Sequence, residues 1–307
     1  MAWLDVDWAA HRHRRMVDGS ELEYVDLSPP TPGDRETVVF VHGLGGAWQN
    51  WLENLPYFAD AGYRCVAMDL AGFGRSDVVA GEVSIGRYAR SVAGLLEQLG
   101  ISSAAVVGNS MGGFVALEFA LQFPDLVDRL VLVSPAVFWQ ELRRAKPLVR
   151  LATATESTVG RALVRSEPWL ARRPWLRNAA LGIGGIFAPE RLRPELAHEL
   201  MMTGRRTPGH LPALRAMAGY PLRDELPKVA CPVLIVWGEE DPLVSVRQAE
   251  ELKEALPAAS LSIYPSVGHL AMVEAPERFN PEVEMFLSAS VGRPSAATAA
   301  GSAGAPR

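Results

Sequence analysis

Ser110 sits in Gly108-Asn109-Ser110-Met111-Gly112-Gly113, a Gly-x-Ser-x-Gly pattern preceded by the apolar run Ala104 to Val107 and followed by Phe114 to Ala120. The first run suits a buried strand, and the second suits a helix. A serine on such a bend occupies strained backbone, tolerable only where its neighbours are small. Its hydroxyl then stands at the end of a sheet with a helix N-terminus behind it. The chemistry this offers is nucleophilic attack on a carbonyl, which requires a base to take the hydroxyl proton. A Gly-Ser turn with no chemistry is the plain reading of the same five residues; the strand before and the helix after favour a nucleophile.

The chain has six histidines: His11, His13, His42, His198, His210 and His269. In this topology the base should follow the last strand, and His269 does so, in Ser266-Val267-Gly268-His269 just after Ser260 to Tyr264. A carboxylate must fix the tautomer of that base and stabilise its charged form. The apolar run Val233 to Trp237 ends in Gly238-Glu239-Glu240-Asp241-Pro242, three carboxylates at the C-terminal end of a strand. Asp241 is selected because Pro242 restricts its backbone and marks it as the residue entering the turn. Glu240 is the first alternative, and Asp241 as a simple turn residue is the plain one. The rival position after Arg129 to Val133 reads Ser134-Pro135-Ala136 and offers no carboxylate. The chain order is then Ser, Asp, His.

An oxyanion needs preorganised donors. The expected pair is the backbone N–H of Met111, beside the nucleophile, and that of Leu44, in His42-Gly43-Leu44-Gly45-Gly46 after the strand Thr37 to Val41. This glycine loop lacks the lysine of a P-loop and the spacing of a dinucleotide site. His42 is expected to hold the loop by hydrogen bonds and to do no chemistry. Asp69 to Asp77 reads as a tight structural loop in which Ser76 serves as a cap.

The elements that must position these groups alternate strand and helix, which implies a mostly parallel sheet with helices on both faces. Arg12 to Val17 and Glu21 to Leu27, split by Asp18-Gly19, form an opening hairpin. Helices are expected from about Trp48 to Ala61, Ser84 to Leu99 and Pro276 to Leu287, and a strand from Arg64 to Met68. The regularity breaks over 136–212, where helical stretches are punctuated by Pro and Gly. Thirteen Arg and Lys against six Glu give this stretch a balance of +7, while the remainder carries −12. It reads as a helical lid inserted over the C-terminal edge of the sheet, where open α/β sheets bind ligands. The core is then 1–135 and 213–287. A tail, 288–307, rich in Ala, Ser and Gly, is expected to be disordered. Trp139, Trp169, Trp175, Phe138 and Phe187 offer the lid an apolar lining, or pack it to the core.

The 307 residues are enough for one large domain with an insertion. A net charge of −5 gives no reason to expect nucleic acid as a partner. Cys65 and Cys231 lie in apolar runs and cannot staple a protein of this size, so free thiols in a reducing cytoplasm are expected. The start of the chain has no basic-then-apolar signal arrangement, and no 18-residue apolar run suggests stable membrane insertion. The oligomeric state is left open.

Taken together in order and spacing, the His42-Gly43 loop, Asp69 to Asp77, Gly108 to Gly113, Trp237 to Asp241 and Gly268-His269 resemble the α/β-hydrolase superfamily. The similarity is to its lid-bearing branch of serine esterases and meta-cleavage-product hydrolases, and it covers about residues 37–287. The resemblance implies an eight-stranded, mostly parallel sheet and a triad of Ser110, Asp241 and His269. It also implies a small-molecule acyl substrate and no cofactor or metal. Relatives that dehalogenate or open epoxides carry aspartate in place of the nucleophilic serine, so Ser110 argues against both activities. Ala71 stands where the family often has proline. Gly-Asn-Ser-Met-Gly-Gly also resembles carbon–carbon hydrolases that cleave vinylogous diketones. Those typically carry tryptophan after the histidine, where this chain has Leu270, and Pro-Gly in the oxyanion loop, where it has Gly45-Gly46. The resemblance therefore implies hydrolysis of carboxylic esters or lactones. Carbon–carbon cleavage, or a non-catalytic ligand receptor on the same fold, is the alternative.

Overall fold

The apolar runs beginning near residues 37, 64, 104, 127 and 233 are buried on both faces, as parallel strands covered by helices must be. The computed structural model describes residues 1–29, 35–79, 81–137, 173–203, 208–218 and 220–289. One eight-stranded sheet contains β1 (Arg12–Val17), β2 (Ser20–Leu27), β3 (Thr37–Val41), β4 (Arg64–Met68), β5 (Ala104–Asn109), β6 (Val127–Val133), β7 (Val233–Gly238) and β8 (Ala259–Tyr264). Their order is β1-β2-β4-β3-β5-β6-β7-β8. Only β2 runs against its neighbours; β4 pairs parallel with β3, and the parallel pairing continues to β8. The β1–β2 turn falls at Asp18 and Gly19, both with positive φ, as a tight hairpin turn requires.

The described helices are α1 (Trp8–His11), α2 (Leu55–Asp60), α3 (Ile85–Gln98), α4 (Met111–Gln122), α5 (Pro174–Ile183), α6 (Pro194–Thr203), α7 (His210–Met217), α8 (Arg247–Ala255), α9 (Ala271–Glu274) and α10 (Pro276–Ser288). Ser84 caps α3 by accepting from the Arg87 amide at 3.1 Å. Alternate strand residues feed two cores, one on each face of the sheet. Val39, Val41, Val106, Leu130, Leu132 and Ile235 pack with Tyr88 of α3, Phe114 of α4 and Leu252 of α8. Val38, Phe40, Val107, Val131, Val133 and Val236 pack with Phe58 of α2 and Phe279 of α10. Each such large side chain contributes about 2 kcal/mol of burial.

The structure departs from sequence expectation in places. The helix expected from Trp48 to Ala61 is instead a 3-10 turn, Trp48–Trp51, followed by α2. Pro56 lacks an N–H and its ring blocks the carbonyl four residues back, so it opens a helix more readily than it continues one. His11, expected with His13 on the opening hairpin, instead ends α1. Both thiols are expected to be buried; Cys65 is, whereas Cys231 is only half-buried.

Between residues 173 and 217 the described elements include α5, α6 and α7 and no strand. The expected boundary at 213 falls inside α7. Leu196, Ala197 and Leu200 of α6 join the core on one face, and Ala213 and Met217 of α7 join the other. Trp175 and Phe187 are 69% and 45% exposed, so neither packs this stretch to the core. Phe138, Trp139, Trp169 and the tail from residue 290 lie outside the described residues. Among the described residues no helix is long and apolar enough to cross a membrane.

Candidate active site

The bend at Ser110 begins where β5 ends and α4 begins. Ser110 has φ 53° and ψ −115°, a conformation that L residues rarely adopt. It persists because the surrounding chain leaves no alternative. The Ser110 amide donates to the Val133 carbonyl at 2.9 Å, and the Ser110 carbonyl accepts from Phe114 and Ala136, each at 3.2 Å. A side chain at Gly112 would overlap the carbonyls of Val41 and His42, so only hydrogen fits between α4 and the end of β3. Two further serines with positive φ sit near the same edge of the sheet: Ser134 after β6 and Ser266 before the His269 loop.

His269 is buried, and its Nδ1 lies 2.7 Å from Asp241 Oδ2. Facing a carboxylate, Nδ1 carries the proton, which leaves Nε2 as the basic nitrogen. The Asp241 carboxylate has no exposed surface. Its Oδ1 accepts from the Leu243 and Val244 amides at 2.8 and 2.9 Å, which sets the carboxylate's orientation. Glu239 and Glu240 are exposed. Their amides donate to Tyr264 and Val267, tying the end of β7 to the chain that leads to His269.

Asn109 joins the two sides of the site. Its amide nitrogen donates to the Val133 carbonyl at 3.1 Å and to the His269 carbonyl at 3.2 Å. The residue before Ser110 therefore holds the backbone of the residue bearing the imidazole. Sequence reasoning treated Asn109 only as a flanking residue, because its partner is 160 positions away.

The loop after β3 lies flush against the bend: a Cβ at Gly43 would stand 3.1 Å from Ser110 Cβ. The amides of Leu44 and Met111 enter none of the turn, loop or cap hydrogen bonds formed among the described residues. His42 holds this loop, as expected. Its Nε2 accepts from the Leu70 amide at 3.0 Å, and its Nδ1 donates to the Gly43 carbonyl at 2.7 Å. Complete burial pushes its pKa down to about 4 against the weaker pull of the Gly43 carbonyl, so the ring is neutral. Asp69 braces the same loop from beneath, accepting from Trp48 at 2.8 Å and Arg75 at 2.9 Å. Burial raises its pKa to about 7 despite those two amides. Ser76 bridges the Asp69 carbonyl and the Glu23 amide, the structural part expected of it.

His13 and His198 are exposed and His11 is half-buried. His210, at the start of α7, lies over the glycine loop: a Cβ at Gly45 would stand 3.4 Å from its Nδ1.

With this geometry in place, residues 36–276 match the family model described as alpha/beta hydrolase fold. A 2-hydroxy-6-oxononadienedioate/2-hydroxy-6-oxononatrienedioate hydrolase of Comamonas testosteroni is 30% identical over 269 residues, 83% of this chain and 89% of its own. The dihydrolipoyllysine-residue acetyltransferase component of the acetoin cleaving system of Cupriavidus necator is 31% identical, over 88% of this chain and 67% of its own. Among solved structures, a thermophilic esterase from Thermogutta terrifontis superposes with a TM-score of 0.69 at 26% identity, over 90% of this chain and 97% of its own.

Proposed function

This chain belongs to the α/β-hydrolase fold family and is a hydrolase of that fold; on that premise we propose that it cleaves carboxylic esters or lactones through a covalent acyl-serine. Ser110 Oγ attacks the substrate carbonyl while His269 Nε2 takes its proton. Asp241 accepts from Nδ1–H and stabilises the imidazolium as it forms. The amides of Leu44 and Met111 receive the oxyanion. His269 then gives its proton to the departing alkoxide. Water, activated by the same imidazole, attacks the acyl-serine and releases the acid. The described α5 and α6, within the proposed 136–212 lid, would cover this site and shape its acyl pocket with the start of α7.

The observation that supports this reading is the 2.7 Å contact of His269 Nδ1 with a fully buried carboxylate, together with the Asn109 side-chain bond that ties the residue before the strained Ser110 to the His269 carbonyl. A group that must change charge during a reaction needs such a fixed partner.

A second reading has its own support. The Comamonas relative is named as a 2-hydroxy-6-oxononadienedioate/2-hydroxy-6-oxononatrienedioate hydrolase, which favours the carbon–carbon alternative. Leu270 favours the ester reading over this one. A panel of short p-nitrophenyl esters, lactones and a meta-cleavage dienoate, run on wild type and Ser110→Ala, separates the two. A fluorophosphonate should label wild type alone, and steady ester turnover should vanish with Ser110. Dienoate cleavage faster than any ester would replace the first reading with the second. Wild type that is neither labelled nor active on any of these would overturn both.

A further inference from the structure

Glu274 is a half-buried carboxylate for which the acyl-serine scheme has no use. It ends α9, five residues beyond His269. Its Oε2 accepts from the Gly268 amide at 3.1 Å and from the Phe187 amide at 2.8 Å; its Oε1 accepts from the Leu270 amide at 3.2 Å. Two of these donors flank His269, and the third belongs to the insertion. The same two segments meet a second time, where the His269 amide donates to the Gly185 carbonyl at 2.7 Å. Packing there admits no side chains. A Cβ at Gly185, with φ 100°, would stand 2.7 Å from His269 Cβ, and one at Gly268 would overlap the Gly185 carbonyl. The backbone of the base and the turn at residues 184–187 therefore form one unit, and a single carboxylate closes it.

We propose that Glu274 is a positioning residue for the reaction: it clasps the 184–187 turn of the insertion to the loop bearing His269, so that docking of the insertion sets the aim of the base. The inference rests on the reading of His269 as base. Three amides on one carboxylate exceed what a turn needs, and charge-assisted bonds of this kind are about twice as strong as neutral ones. Burial works against the charged form, raising its pKa, while the three amides and the neighbouring His269 favour it. Glu274 lines a cavity of about 220 Å³ together with the charged residues Glu53, Arg191, Arg193 and Glu277.

The test is Glu274→Gln beside Glu274→Ala, read by kcat and KM on p-nitrophenyl acetate, by the acid limb of kcat/KM, and by amide hydrogen exchange. Glutamine keeps the volume but sets a donor against the Leu270 amide; alanine loses all three bonds. The expected loss in kcat is about tenfold for Gln and about a hundredfold for Ala, with KM changed less. Removing a negative charge near His269 should also move the acid limb to lower pH by about half a unit. A purely structural residue would lower the melting temperature and leave that limb in place. In wild type, the amides of Phe187, Gly268 and Leu270 should exchange with one common opening free energy, because they share an acceptor. That measurement needs neither turnover nor a folded variant. A protein inactive on esters whose three amides exchange together would lose the proposed chemistry and keep the clasp. Independent exchange at Phe187, or a Gln variant with unchanged kcat and acid limb, would overturn the clasp.

Discussion

Ser110 and His269 come from the ends of β5 and β8, and the chain secures them by different means. On the nucleophile side the restraint is steric: a helix pressed against a strand end, with a glycine where no side chain fits. On the base side polar bonds are added to the close packing at Gly185 and Gly268: Asp241 takes the ring and two amides, Glu274 takes three amides, and Asn109 takes the His269 carbonyl. The difference follows from what each group must do. A hydroxyl has only to be presented at a fixed place, which packing does well because interiors resist compression. An imidazole has to gain and lose charge without turning, which requires acceptors that stay in place through both states. Removed charge should therefore break the base side and leave the nucleophile side in place.

The largest effect is expected from Asp241→Asn. Volume is conserved, but the preferred tautomer of His269 is lost, so kcat should fall about 10⁴-fold while the unfolding midpoint barely moves. Retention of most activity would transfer the carboxylate role elsewhere, to Glu240 first. Gly112→Ala is the converse. One methyl group forced against the Val41 and His42 carbonyls should cost about 3 kcal/mol or more of stability, measured by urea unfolding. If it folds with native stability, steric restraint of the bend is the wrong account.

The smallest effect concerns the loop that carries Leu44, where a buried neutral histidine and a buried aspartate oppose each other. His42 is held at about 4, below its ordinary 6.5, so the stability it confers is complete above pH 6.5 and falls as pH drops toward 4. Asp69 is raised to about 7 from 3.8, so its contribution is complete below 3.8 and is lost as pH rises through 7. Each shift corresponds to about 3–4 kcal/mol, and the signs are opposite. The wild-type stability profile from pH 7 to 4.5 should accordingly be flatter than that of Asp69→Asn, in which the His42 slope stands alone. Parallel profiles for the two proteins would mean that burial does not set the charge of this pair.

Much of the site was legible in the sequence because its signals are local. The strand, bend and helix around Ser110 occupy consecutive residues, and Gly112 is explained by the bend itself. His269 could be found from its place after the last apolar run. The parallel core strands follow from short apolar stretches bounded by turn residues, and Ser84 announced the start of α3. Asn109 and Glu274 carried no such signal. A carboxylate five residues past a histidine looks like any polar residue on a short helix until the chain brings residue 187 beside it. The break in the expected Trp48 to Ala61 helix has a local signal in Pro56, which sits in the first turn of α2.

Sequence alone determined which residue types stand at the strand ends: a serine among glycines, a histidine after the last strand, carboxylates after the one before it. Those depend on contacts between neighbours along the chain, and spacing encodes them. Pro242 already singled out Asp241 among the three adjacent carboxylates; tertiary structure alone decided which nitrogen of His42 carries its proton and how the insertion fastens to the base. Each depends on a bond across tens of residues, and such a bond has a direction only once the sheet has closed.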